Sequence, residues 1–200
     1  NLKKIQDVFA HCYFESEETS LKFEKLIKKQ QYELQRYNFF YANYLYNLEK
    51  TNKAISIIDT SLDLNPNNIL LSQLREDIKS KKSKLFSDNF NCKKIQHIIA
   101  EIFYITANAL SSQSLNDLSN FYINLAKYLN PNFISFETIY AENFYKSKNY
   151  KKAKKIYEKM KDKGSNYDWY ASKQIASILI INKKNTEAIN FMKKVFNKIQ

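Results

Sequence analysis

A single glycine, Gly164, has to serve a chain of 200 residues, with only two prolines beside it. Tight β-hairpin turns, phosphate-cradling loops and dinucleotide fingerprints all depend on glycine, for positive φ or for a backbone approach that a Cβ blocks. A chain with one glycine has no material for a β-rich fold or a nucleotide loop, and it reads as all-α. Hydrophobic residues make up 44% of it, enough for a packed core and too many for wholesale disorder. The densest apolar stretch, Ile175–Ile181, falls well short of the roughly 18 residues needed to span a bilayer.

The helical run is punctuated periodically. Leu64-Asn65-Pro66-Asn67 and Leu129-Asn130-Pro131-Asn132 are near copies, and each closes a segment of about 34 residues, the tetratricopeptide period. Taken back from these closures, the segments run 35–68 and 100–133, followed by 134–167 and 169–200. Two antiparallel helices approach closely only where small side chains meet at their crossing. Those side chains recur in step: Ala42, Ala54 and Ser61; Ala107, Ser119 and Ala126; Ala141 and Ala153, with Met160 third; Ala176 and Ala188, with Val195 third. Large apolar residues, among them Leu45, Ile58, Ile123, Tyr157 and Leu179, fill the holes between them.

In this pattern the chain resembles a tetratricopeptide repeat (TPR) protein over 35–68 and 100–200, and more specifically the C-terminal part of long bacterial TPR proteins. The resemblance implies a right-handed α-solenoid of antiparallel helix pairs. The family's usual glycine at the turn inside each helix pair is replaced by Glu49, Ser114, Lys148 and Lys183. Two segments depart from the period. Residues 1–34 have apolar spacings suited to two helices (Ile5, Val8, Phe9, Tyr13; Leu21, Phe23, Leu26, Ile27) and read as a degenerate repeat. Residues 69–99 open with an amphipathic helix that covers the end of 35–68. A polar, lysine-rich loop follows over 79–94, expected to act as a hinge.

Net charge is +12, but arginine, the better bidentate reader of phosphate and bases, occurs only at Arg36 and Arg75. Lysine excess alongside abundant Asn, Ile, Tyr and Phe is the bias of an AT-rich coding sequence. The lysines of 151–163 and 183–198 fall mainly on second helices and form a solvated outer face. Cys12 and Cys92 lie far apart in sequence, outside any C-x-x-C pair, and read as free thiols. His11 and His97 have no ligand or base motif around them, so no metal, cofactor or catalytic residue is expected. No secretory leader is visible, but the chain opens at Asn1 without an initiator Met and reads as a mature or excised piece, so the missing leader leaves the envelope and the cytoplasm of a Gram-negative bacterium both open.

The resemblance implies that the first helix of each pair lines a concave groove. Its residues not required for packing are Arg36, Phe39, Asn43 and Tyr46; Glu101, Tyr104 and Asn108; Thr138, Glu142 and Tyr145; and Tyr170, Lys173 and Ser177. The expected function is a non-catalytic scaffold holding a protein or peptide partner. The lysine-and-asparagine clamp for C-terminal carboxylates is missing, because Phe39, Tyr104 and Ile139 occupy its positions. A rival reading follows from 156–164, which resembles the end of a pentatricopeptide unit and implies RNA binding. Only one unit carries that similarity, whereas Pro66 and Pro131 close their units in the TPR manner.

Overall fold

The computed structural model describes residues 2–28, 35–80 and 89–199. The described residues contain helices and no strand. The chain divides into two compact units, Asn1–Ile99 and Ala100–Gln200. In the first unit α1 (Leu2–Tyr13), α2 (Thr19–Lys28), α3 (Gln35–Asn47), α4 (Thr51–Leu64) and α5 (Ile69–Lys79) follow one another, each packed on its predecessor. α6 (Ile95–Ser112) begins in the first unit and continues into the second. There it is followed by α7 (Asn116–Leu129), α8 (Ser135–Lys146), α9 (Tyr150–Met160), a 3-10 turn (Lys161–Lys163), α10 (Ser165–Ile181) and α11 (Asn185–Ile199). No described helix is long and apolar enough to cross a membrane.

The small residues occupy the crossings that their spacing predicts. Ala42, Ala54, Ala107, Ser119, Ala126, Ala141 and Ala153 have no exposed surface. Leu45, Ile58, Ile123 and Tyr157 fill the intervening space and are equally buried. The residue before a proline is pushed out of the helical region by the ring. Asn65 and Asn130 accordingly stop α4 and α7 at nearly identical angles, φ −143°, ψ 83° and φ −141°, ψ 79°. Asn65 also donates from Nδ2 to Gln35 Oε1 at 2.9 Å, fastening the end of α4 to the start of α3.

The turns inside the helix pairs carry the clearest imprint of the repeat. Glu49, Ser114, Lys148 and Lys183 all adopt left-handed φ, between 59° and 63°. Glu15 joins them at φ 55°, which makes α1 and α2 a helix pair of the same kind. Glu15 and Glu49 are 34 residues apart, as are Ser114 and Lys148, and Lys148 and Lys183 are 35 apart. In each turn the next N–H reaches back to a carbonyl five residues earlier, as Lys50 does to Leu45, Leu115 to Leu110, Asn149 to Phe144 and Lys184 to Leu179. Gly164 lies at φ 134° and ψ 160°, a region open essentially to glycine alone. It ends the 3-10 turn and starts α10.

A side chain with a Cβ costs about 1 kcal/mol or more in the left-handed region, partly offset by the greater unfolded-state freedom of glycine. Ser114→Gly and Lys148→Gly are each expected to raise stability by about 0.5–1 kcal/mol, seen as a higher urea midpoint with an unchanged slope.

Three features differ from the sequence reading. α6 and α10 begin at Ile95 and Ser165, ahead of the expected repeat starts at 100 and 169. Gly164 alone completes the turn after Lys163, and the helix starts at the next residue. The central part of the expected 79–94 hinge, residues 81–88, lies outside the described residues, while Phe90 and Cys92 are held within the first unit against Phe9, Phe40 and Cys12. Finally, Cys12 and Cys92 are not free: they form a disulfide, with Cα atoms 5.8 Å apart across a separation of 80 residues. Cys12 lies on the buried side of α1 beside Phe9, and the packing of Phe90 on Phe9 at 5.4 Å carries Cys92 to it.

Candidate functional site

Four first-helix positions follow directly after the small crossing residue of each repeat: Asn43, Asn108, Glu142 and Ser177. They share a register but differ in surroundings. In the first unit Asn43 is buried, and its Nδ2 donates to the carbonyl of Phe90 at 2.9 Å. The ring of Phe90 meets those of Phe40 at 4.5 Å and Phe9 at 5.4 Å. Asn91 N–H donates to His97 Nδ1 at 3.0 Å, closing the turn that leads into α6. Burial, and after it the charge of Lys94, lower the pKa of His97, so its imidazole stays neutral and able to accept.

The chain itself thus covers this face. Phe39 and Asn43, expected to line a groove, are packed inside by α5 and the Phe90 segment. Arg36 is half-buried with its guanidinium 5.6 Å from the Phe40 ring centre, and Tyr46 is half-buried at the far end of α3. The disulfide then holds the covering segment to α1. A cavity of about 390 Å³ remains among Cys12, Phe23, Phe40, Asn43, Phe90 and Cys92.

In the second unit the equivalent face is open at its edges. Asn108 on α6 and Lys173 on α10 are exposed. Between them Glu142 accepts from the Tyr170 hydroxyl at 2.6 Å, joining α8 to α10. Burial, then the Glu142 carboxylate, push the Tyr170 hydroxyl far above its ordinary range, so it remains a neutral donor. Tyr157 on α9 meets the Tyr170 ring at 6.0 Å and is shifted upward chiefly by burial. Tyr145 stands edge-on to Tyr150 at 5.5 Å, and Tyr104 packs on Phe136 at 5.6 Å and on the cluster of Ala107, Ile123 and Ile139. Lys173 lies over the indole of Trp169 at 5.8 Å. Glu101 is wholly buried, Thr138 bonds the Ser135 carbonyl at 2.7 Å, and Ser177 bonds that of Lys173 at 3.1 Å. The result is a surface of aromatic rims and fixed polar groups, with Asn108 and Lys173 projecting from it.

Two polar constructions carry no periodic mark in the sequence. Asn143, fully buried, accepts from Ser111 Oγ at 2.6 Å and donates to Ser119 Oγ at 2.8 Å and Asn120 Oδ1 at 3.0 Å. Ser119 Oγ in turn donates to the Ala107 carbonyl at 2.8 Å, so one amide joins α6, α7 and α8. Asp168, 7% exposed, accepts from Ser172 Oγ and Lys198 Nζ at 3.2 Å each, with Lys161 Nζ at 3.8 Å. This acid ties the start of α10 to both flanking segments. Among the described residues no group of three or more His, Cys, Asp and Glu side chains is placed to hold a metal ion.

No protein-family model matches the chain, and no curated protein matches it. Among solved structures it is similar to a tetratricopeptide repeat protein from Parabacteroides merdae, with 13% identity and a TM-score of 0.42 over 98% of this chain and 80% of that one. It is also similar to the MamA RS-1 ArsTM double mutant, with 12% identity and a TM-score of 0.36 over 98% of this chain and 92% of that one.

Proposed function

We propose that the chain is a non-catalytic TPR-like scaffold that presents the first-helix face of its second unit, on α6, α8 and α10, to an extended or helical segment of a protein partner. The supporting observation is the contrast between register-equivalent positions: Asn43 is covered by the chain's own Phe90 segment, whereas Asn108 is exposed. A side-chain amide offers a donor and an acceptor together, matching a peptide group. The Glu142–Tyr170 hydrogen bond and the packed tyrosines hold the surrounding surface still, so binding demands little ordering of the receptor.

Asn108→Arg tests this reading without disturbing the core, since the side chain is exposed. The variant is expected to capture its partner about tenfold less well in pull-downs from the native organism, with helical content and melting temperature unchanged. Each pull-down is run at two salt concentrations with a nuclease control. Capture that survives the substitution removes the proposal. Capture that is nuclease-sensitive and strengthened by the added arginine favours the RNA-binding alternative.

The disulfide supports a second element of the proposal, that the scaffold works in the cell envelope, since such bonds persist in oxidising compartments and are rare in the cytosol. Alkylation of the protein taken directly from cells is then expected to find no free thiol. Two free thiols would place it in a reducing compartment.

A further inference from the structure

Two second helices of the second unit, α7 and α9, present contrasting outer faces. On α7 Leu118, Phe121 and Tyr128 are 47%, 56% and 84% exposed, with Leu125 half-buried among them. Spacings of three, four and three residues set these side chains in one row, about 15 Å long on the α-helical rise. The charged residues of α7 are Asp117, in its first turn, and Lys127, which pairs with Glu137 at 2.7 Å. On α9 Ile156, Tyr157 and Met160 are buried, and the outward side chains include Lys151, Lys155 and Lys159, all exposed. The acid of α9, Glu158, lies 3.7 Å from Lys154.

In the repeat register the two rows fall on the same positions. Aligning Ser119 with Ala153 and Ala126 with Met160 makes Lys152, Lys155 and Lys159 the counterparts of Leu118, Phe121 and Leu125. Both helices pack on α8. An apolar row and a lysine row thus look outward from successive second helices of one unit, and neither belongs to the first-helix face proposed above.

The pairing of these rows selects the occupant. Four side chains on one helix fall short of the roughly 800 Å² per partner that a stable protein interface buries. Nucleic acid would meet the lysines, but leucine neither stacks on bases nor bonds phosphate. A bilayer surface uses both rows. Leucine and aromatic side chains enter the boundary between headgroups and acyl chains, while lysines beside them attract anionic headgroups.

We infer that the outer face of the second unit binds the surface of an anionic lipid bilayer. Phe121 and its neighbours on α7 sit at headgroup depth, and the α9 lysines lie among the anionic headgroups. The contact is peripheral and does not draw on the groove that holds a protein partner.

The experiment uses the full chain with its disulfide intact and vesicles of phosphatidylcholine, with or without about 30% phosphatidylglycerol. In a Phe121→Trp, Trp169→Phe variant, indole emission is expected to move to shorter wavelength on the anionic vesicles and to stay unchanged on pure phosphatidylcholine. Cosedimentation should find the Leu118→Ser, Phe121→Ser variant bound at least tenfold more weakly, although its charge is unaltered. Lys155→Glu, Lys159→Glu should weaken binding by a similar factor. Lys3→Glu, Lys4→Glu, the same charge change on α1, should weaken it much less. All the substituted side chains are exposed, so circular dichroism should not change. Asn108→Arg should not lower vesicle binding, which separates this inference from the function proposed above. No emission shift, or equal loss from the two lysine pairs, overturns it, because any basic chain adheres to anionic vesicles. Displacement by single-stranded RNA whose own binding is lost in Phe121→Ser would assign the face to nucleic acid. A dimer that Phe121→Ser dissociates would assign it to a second copy. Either result overturns the inference equally.

Discussion

Reduction of the Cys12–Cys92 bond is expected to lower the stability of the first unit by roughly 4–5 kcal/mol, the chain-entropy value for a crosslink closing a loop of this length. The contacts explain why the loss should be large. The bridge holds the Phe90 segment to α1, and that segment supplies the Phe40 and Phe9 ring contacts and the acceptor for buried Asn43. Once released, it leaves an aromatic face and a buried amide open to water. The chain's one tryptophan, Trp169, lies in the second unit and makes the experiment selective. Denaturation followed by tryptophan fluorescence should be unaffected by reductant. The far-UV signal should acquire an earlier transition, both with reductant and in the Cys12→Ser, Cys92→Ser double variant. Coincident, unshifted curves would show that the bridge holds nothing that the packing does not already hold.

The second large effect belongs to Asn143. Asn143→Leu is expected to destabilise the second unit by about 2–4 kcal/mol, and here the tryptophan transition should report the loss. The estimate rests on the difference between a satisfied buried network and a broken one. Leucine keeps the branched skeleton of asparagine, though its methyl groups are bulkier, and it leaves Ser111 Oγ without its acceptor and Asn120 Oδ1 without its donor in a buried site. Ser119 retains its bond to the Ala107 carbonyl, which limits the damage on α7. Asn120→Ala, which removes one spoke and keeps the hub, should cost less. A loss below about 1 kcal/mol for Asn143→Leu would mean that water replaces the amide.

What could be read in the sequence was what repeats. The alanines at the crossings and the turns at Ser114, Lys148 and Lys183 recur every 34 or 35 residues, Glu49 marks the same place in the earlier repeat, and the structure places them as the register requires. What escaped was singular. A pairing of two cysteines 80 residues apart has no period, and it depends on Phe90 folding back over α3. Asn143 has no counterpart in the neighbouring repeats, where Ala109 and Ile178 stand in its register. The candidate site shows the same division. Asn43 and Asn108 are indistinguishable by position, and only the tertiary course of residues 89–94 buries one of them and leaves the other exposed.

The turn residues also mark where the rhythm is interrupted. From Glu49 to Ser114 is 65 residues, three short of two full periods of 34. α5 and the tethered segment after it therefore substitute for a repeat without being one. Growth of such a protein by tandem duplication would keep its phase if the copied block lay between Ser114 and Lys183. A copy spanning 69–99 would bring a third cysteine and a second Phe90 into the chain with no second α1 to receive them. Lengthening in phase is thus open to the helix pairs between Glu15 and Glu49 and between Ser114 and Lys183, and closed across 69–99.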